Sequence, residues 1–398
     1  MLSERWLRRS PQEARAALAR RGAGAETLAA LDAWLTLDAE RRAVAARFDA
    51  LAREGNATRQ ARRELHELTA RQRAVALTLP NAPDPRAPDG SGPDANPIVR
   101  SWGTPPTFAF TPAPHDALGA RLGLLDLPRA TRMSGPRFPL LLGVGARLAR
   151  ALATYLLETH IAAGYLEVAP PDLLRAETLA GTGHLPAHED ELFAVPRDGL
   201  YLSPTAEAQL VALHAGETLE GARMPVKLTA YTQAYRREAG SAGAKTRGLL
   251  RQRQFGKVEL VRIVAPDEAD AALEDMIAEA EAPLRALELP YRLVEVCAGE
   301  LPFSAQRSFD LEVWMPSLAG YLEVASVSNC GTFQARRIAL RYRPRPGGAA
   351  RHPHTLNGSA LPIGRTLAAL LENGQRADGS VALPAALALY GAPRELRA

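Results

Sequence analysis

Between Ala234 and Leu260 the chain reads AYRREAGSAGAKTRGLLRQRQFGKVEL. Its two ends, Ala-Tyr-Arg-Arg-Glu and Gln-Phe-Gly-Lys-Val-Glu-Leu, alternate as strands do. The Gly- and Ala-rich middle, with Gly240, Gly243 and Gly248, predicts a flexible loop. Two strands joined by that loop bring Arg236, Lys245, Arg247 and Arg251 near one another. Planar guanidinium forks so gathered suit a polyanionic phosphate. Phe255, on the returning strand, offers a flat face on which a base can stack. Glu238, two residues after Arg236, shares its strand face and can accept from an exocyclic amine. The alternative is a solvated basic hairpin. Acids, arginines and an aromatic at matched strand spacing favour binding.

Further chemistry-bearing residues sit on strand-like or helix-opening segments. Phe309-Asp310-Leu311-Glu312-Val313-Trp314 alternates and predicts a strand, and Tyr321 to Cys330 follows it. Near the end, His354 to Ser359 and then Gly364-Arg365-Thr366-Leu367 read as strand, turn and apolar helix. Arg365 stands at that helix start, where a cation opposes the macrodipole unless an anion sits there. Taken alone, Thr205-Ala206-Glu207 reads as a helix cap, and Glu323 as a solvent-facing strand residue.

The elements that must position these residues fill a 398-residue chain, enough for one large domain and a smaller one. Hydrophobic content of 46% and charged content of 23% are ordinary for a soluble globular protein. No apolar run approaches the roughly 20 residues of a membrane span, and the basic N-terminus has no apolar signal core. Cys297 and Cys330 make no disulfide framework, and no Cys/His cluster has zinc spacing, so a reducing cytoplasm is expected. The net charge of +4 permits a nucleic-acid partner without demanding one.

Ser10-Pro11-Gln12-Glu13 predicts an N-cap with proline at the first helical position, opening a short helix to about Arg21. Leu37, Val44, Phe48 and Leu51, then Ala61, Leu65, Leu68, Val75 and Leu79, form a heptad-like seam broken at Gly55-Asn56. An antiparallel helical hairpin follows, with helices of about 17–22 residues, or roughly 25–33 Å. Its arginine-rich faces are interspersed with acids and fit either a solvated coiled coil or an RNA-binding arm. From Pro80 to Pro114, Pro, Gly, Asp and Asn predict an extended linker, with a domain boundary near residue 100. The two domains are then an N-terminal arm with linker, residues 1–100, and a catalytic domain, residues 101–398.

Tyr235 to Gly240, Thr246 to Leu249 and Gln254-Phe255 resemble motif 2 of class II aminoacyl-tRNA synthetases, specifically the seryl-tRNA synthetases, and the similarity spans nearly the whole chain. The resemblance implies an α+β fold with a mostly antiparallel sheet flanked by helices, plus an N-terminal helical hairpin. The segment from Gly145 to Pro171 resembles motif 1, which implies a homodimer. Thr205-Ala206-Glu207 resembles the loop that seats the substrate amino group. Glu259 matches the acceptor of the serine hydroxyl, and Asn357 and Ser359 match positions lining the serine pocket. Glu323 and Ser326 match the residues that hold magnesium between ATP phosphates. Arg365 matches the motif 3 arginine at the γ-phosphate. Arg236 and Arg251, with Glu238 and Phe255 at adenine, complete the implied ATP site.

The resemblance further implies a two-step ligase reaction: ATP and L-serine give seryl-adenylate, and the seryl group passes to the 3′ end of tRNA(Ser), which the N-terminal arm grips. Several positions depart from the family pattern: Arg253 for His, Gly256 for an acid, Glu300 for Asp, and Gly331-Thr332 for Thr-Asp. The hairpin is also shorter by roughly thirty residues, which removes about 20 Å of reach. A short arm raises a second reading, a synthetase paralogue that loads a non-tRNA acceptor or plays a regulatory role.

Overall fold

The computed structural model describes residues 1–56, 58–239 and 246–397. Gly240, Gly243 and Lys245 of the basic loop lie outside the described residues. Four helices open the chain: α1 (Glu4–Arg9), α2 (Pro11–Arg20), α3 (Ala25–Arg53) and α4 (Arg59–Thr78). Pro11 starts α2, where its missing N–H costs nothing. Thr58 caps α4 by accepting from the Ala61 N–H. Arg41 meets Gln72 and Arg47 meets Glu64, so α4 runs back along α3 as an antiparallel hairpin. At 29 residues, α3 is longer than the seam from Leu37 predicts. Its first turns carry Leu31 and Trp34, which share a cluster with Leu7, Leu18 and Phe333 as well as with Leu79 at the end of the hairpin seam.

The large sheet starts at an edge strand, β1 (Ile98–Trp102). Helices α5 (His115–Arg121), α6 (Leu127–Ser134) and α7 (Val144–Ala162) follow, with a turn through Gly123 separating α5 from α6. Then come β2 (Leu166–Glu167), β3 (Leu173–Arg175), α8 (Ala176–Thr182), β4 (Ala194–Val195) and β5 (Leu200–Leu202). Next are α9 (Glu207–Ala212), β6 (Thr218–Glu220), β7 (Val226–Tyr235), β8 (Gln254–Val264) and α10 (Ala269–Ala286). The chain continues with β9 (Tyr291–Glu295), β10 (Arg307–Met315), β11 (Gly320–Asn329), α11 (Phe333–Arg337), β12 (Arg341–Arg343), β13 (His354–Pro362) and α12 (Ile363–Asn373).

Eight strands form one sheet in the order β1-β9-β10-β11-β13-β8-β7-β2. Every pairing is antiparallel except β2 with β7. The fold is therefore the expected α+β class, a mostly antiparallel sheet with helices and an N-terminal hairpin. Helices α7, α10 and α12 bury Leu152, Met276 and Leu367 against one sheet face. Along β8 the side chains alternate with period two. Val258 and Leu260 enter that core, while Val261 and Ile263 join a second cluster with Leu210 of α9. Residues 255, 257 and 259 belong to the second series, and their face of the sheet is open. No helix among the described residues is long and apolar enough to cross a membrane.

Candidate active site

The open face holds a cavity of about 320 Å³. Its lining includes Arg236, Glu238, Arg251, Phe255, Glu323, Ser326 and Arg365. It also includes Thr205, Glu207, Glu259, Asn357 and Ser359. One surface thus carries every residue that the resemblance assigned to ATP, magnesium or serine. Of the other loop cations, Lys245 lies outside the described residues, and the Arg247 guanidinium pairs with Asp116 of α5, away from the cavity.

At one end lie the arginines. Arg236 follows β7 directly, its Nε donates to the Pro204 carbonyl at 3.2 Å, and its guanidinium sits 5.3 Å from the Phe255 ring centroid. The strand does not extend to Glu238, as the alternation predicted; β7 stops at Tyr235. Glu238 turns with φ 53°, a left-handed conformation, and its carboxylate pairs with Arg251 Nε. Arg236 and Glu238 therefore meet the cavity through a turn and an ion pair. Arg365, in the first turn of α12, donates to the Leu250 carbonyl at 2.9 Å and the Glu323 carbonyl at 2.7 Å. The Glu323 carboxylate lies 3.8 Å from it, the anion that offsets a cation at a helix start.

Beside Glu323, Asp310 of β10 faces Ser326 of β11 in register. Burial, and then the Glu323 charge, push the Asp310 carboxyl well above its usual range, and a hydrogen bond from Ser326 opposes this. Two carboxyls that repel each other beside a hydroxyl are a hard-oxygen donor set. Magnesium takes such ligands sparingly and draws the rest from phosphate and water, so these residues fit it.

At the other end the polar groups are deeply buried. Thr205 Oγ1 donates to Glu259 Oε2 at 3.3 Å, and Lys257 Nζ pairs with the same carboxylate. Ser359 stands opposite Glu259 in the β13–β8 register, and Lys257 Nζ reaches its Oγ at 3.5 Å. Glu207 opens α9 and accepts from Gln334 Nε2 at 2.7 Å. Burial, and then the neighbouring Glu259 charge, push its carboxyl up to about 7. His184, also in the lining, is held to about 3, chiefly by burial and then by Arg236.

Lys257, Gln334, His184 and Asp310 are residues that the sequence reading missed. Lys257 had a signal, since it falls between Phe255 and Glu259 in the same period-2 series. Gln334 had none, because its role depends on α11 packing beside α9.

Residues 193–374 match the tRNA synthetase class II core domain (G, H, P, S and T). The chain is 45% identical over 419 aligned positions to the serine–tRNA ligase of Acidithiobacillus ferrooxidans, covering 98% of each chain. It belongs to the seryl-tRNA synthetase family. The serine–tRNA ligase of Synechococcus elongatus is 48% identical over 348 residues, 86% of this chain and 81% of that one. The crystal structure of seryl-tRNA synthetase from Pyrococcus horikoshii complexed with ATP superposes with a TM-score of 0.93 at 31% identity. It covers 100% of this chain and 99% of that one. The 419 aligned positions exceed the 398 residues of this chain, so the Acidithiobacillus relative carries residues that this seryl-tRNA synthetase family member lacks.

Proposed function

We propose that the cavity activates L-serine with ATP and passes the seryl group to the 3′ end of tRNA(Ser). The observation that carries this is the division of one cavity into a cationic end and a buried end that holds two carboxylates and a hydroxyl-binding register. ATP lies with its adenine on Phe255 and its phosphates toward Arg236 and Arg365. The serine ammonium meets Glu207 and Thr205. The serine hydroxyl donates to Glu259, beside Asn357 and Ser359. Lys257 holds the Glu259 carboxylate as an acceptor and lends positive charge where the substrate carboxylate enters.

The serine carboxylate oxygen forms a bond to the α-phosphorus while the α–β phosphoanhydride bond breaks and pyrophosphate leaves. The nucleophile is already ionised, so no general base is needed. The protein's part is positioning and charge neutralisation. Arg236 bears on the α-phosphate, and Arg251 orients Glu238 beside the adenine edge. Glu323 and Ser326 would hold Mg2+, which supplies positive charge to the outer phosphates.

The N-terminal arm of residues 1–100 grips the tRNA. The exposed arginines of α3 and α4, among them Arg47, Arg53 and Arg63, support this. The catalytic body of residues 101–398 pairs as a homodimer. Met133, Val144 and Leu166, exposed apolar residues near the motif 1 segment, support that pairing. ATP and tRNA place the work in the cytoplasm. The test is serine-dependent exchange of labelled pyrophosphate into ATP with magnesium. Exchange that requires serine and is lost on chelation supports the assignment; exchange with another amino acid but not serine overturns it. Light scattering of the purified chain reads the dimer. Activation without tRNA charging would favour the second reading, a paralogue serving a non-tRNA acceptor, which the shorter arm brings into view.

A further inference from the structure

Five successive backbone carbonyls, from Leu301 to Ala305, form a segment with no strand or helix ladder to satisfy them. All five accept from two residues of the N-terminal region. Arg21, just past α2, donates through Nη2 to Leu301 O at 2.7 Å and to Pro302 O, and through Nη1 to Ala305 O at 3.0 Å. Asn81, just past α4, donates its backbone N–H to Phe303 O at 2.9 Å and its Nδ2 to Ser304 O at 2.8 Å. Arg21 also donates to the Asn81 carbonyl at 3.1 Å, which ties the two clamps together.

The other side of this segment is active-site wall, since Pro302 and Ser304 line the cavity. They stand at its amino-acid end. Cys330 Sγ lies 3.6 Å from both Ser304 Oγ and Asn357 Oδ1, and Asn81 Nδ2 donates to the Cys330 carbonyl at 2.9 Å. A second connector repeats the arrangement. Helix α11 receives the Met1 ammonium on its Phe333 carbonyl, and its Arg337 donates to the Leu77 carbonyl of α4 at 2.9 Å. From the same short helix Gln334 reaches Glu207. No such link from the first 81 residues runs to Glu323, Ser326 or Arg365 among the described residues.

Resting on the serine assignment above, we propose that Arg21 and Asn81 are positioning residues for the amino-acid substrate. The base of the N-terminal domain builds the wall of the serine pocket, independently of any tRNA on the hairpin. Leu301, Ser304 and Ala305 are buried, and carbonyls there that lose their donors must reorganise toward water or other donors. The displacement falls on serine and spares ATP.

The experiment is steady-state pyrophosphate exchange on the full chain without tRNA, with KM measured separately for serine and ATP. Arg21→Met and Asn81→Ala are expected to raise KM for serine at least tenfold, with KM for ATP within twofold of wild type. Asp49→Ala, on an exposed position far along α3, should change neither. Where Arg21→Met does not fold, Arg21→Lys decides, because an ammonium keeps the charge but cannot fork across the same carbonyls. It should raise KM for serine at least threefold at unchanged KM for ATP. Unchanged KM for serine, or equal rises for both substrates, overturns the proposal. A wild-type protein with no serine-dependent exchange would instead contradict the function itself.

Discussion

Lys257 and Glu259 form an ion pair inside the cavity, two residues apart on one face of β8 and almost wholly buried. Glu259 Oε2 also accepts from Thr205. Glu259 is thus held as an acceptor, which a substrate hydroxyl can exploit and a methyl group cannot. Removing one partner leaves the other as a buried uncompensated charge, which costs about 3–5 kcal/mol. Lys257→Met should therefore lower kcat/KM for serine by at least 100-fold in pyrophosphate exchange. Glu259→Ala should erode the preference for serine over alanine by about tenfold to 100-fold, the worth of one buried hydroxyl contact. An unchanged serine-to-alanine ratio in Glu259→Ala would remove Glu259 from the hydroxyl site.

Glu207 makes serine binding depend on pH. Its carboxyl is raised to about 7, first by burial and then by Glu259. Above that value it is ionised and attracts the substrate ammonium; below it, protonation removes the attraction. Between pH 8 and pH 6 the ionised fraction falls from about nine-tenths to one-tenth. KM for serine should rise by up to about tenfold over that span as pH falls, with KM for ATP changing far less. Glu207→Gln should bind serine weakly and flatten the profile. A flat profile in the wild type would contradict the assignment of Glu207 to the ammonium.

Arg236 has its Nε on a carbonyl and its guanidinium near Phe255, so its place depends on backbone rather than on a carboxylate partner. Its charge remains available to phosphate. Arg236→Ala should lower adenylate formation by at least about 100-fold, the scale of losing one preorganised charge-stabilising donor. Thermal unfolding should stay close to wild type. Near-wild-type exchange in that variant would take Arg236 out of the reaction.

Asp38 is the electrostatic centre of the hairpin base. Its carboxylate accepts from Arg8, Arg42 and Gln72. The Arg8 hydrogen bonds, and then the others against the cost of burial, hold its carboxyl far below the usual range. A depressed carboxyl contributes stability that is complete above its unfolded value, about 3.9, and is lost as pH falls toward the folded value. The N-terminal helices should therefore loosen below about pH 4. Asp38→Asn should remove about 2–4 kcal/mol at pH 7, less than for a fully buried pair because Arg8 and Arg42 are partly exposed. Urea melts from pH 7 down to about pH 2 check both points: the gap between variant and wild type should be full at pH 7 and narrow progressively below about pH 4.

The local periods carried much of the site. Alternation from Phe255 to Glu259 placed both on one face, and the strand with Asn357 and the helix opening at Arg365 form as read, although β13 runs straight into α12 with no turn between them. Those contacts lie within or between short segments with strong period-2 patterns. Glu238 was misplaced because a left-handed residue breaks the alternation beyond Tyr235, and no local pattern marks it. Arg247 was drawn away by Asp116, more than a hundred residues earlier, a pairing that only the tertiary fold creates. The early start of α3 was hidden because Leu31 and Trp34 pack largely against Leu7, Leu18 and Phe333, outside the heptad positions that begin at Leu37. Gln334 and Arg21 were invisible for the same reason: each acts on backbone or side chains far away in sequence.

The central claim, serine activation for transfer to tRNA, is tested most directly by incubating the purified full chain with labelled serine, ATP, magnesium and total tRNA. Label should accumulate in acid-precipitable tRNA, confined to the serine-accepting species, and vanish when ATP is omitted. Serine-dependent pyrophosphate exchange with no label reaching tRNA would contradict the transfer step and move the acceptor to another molecule.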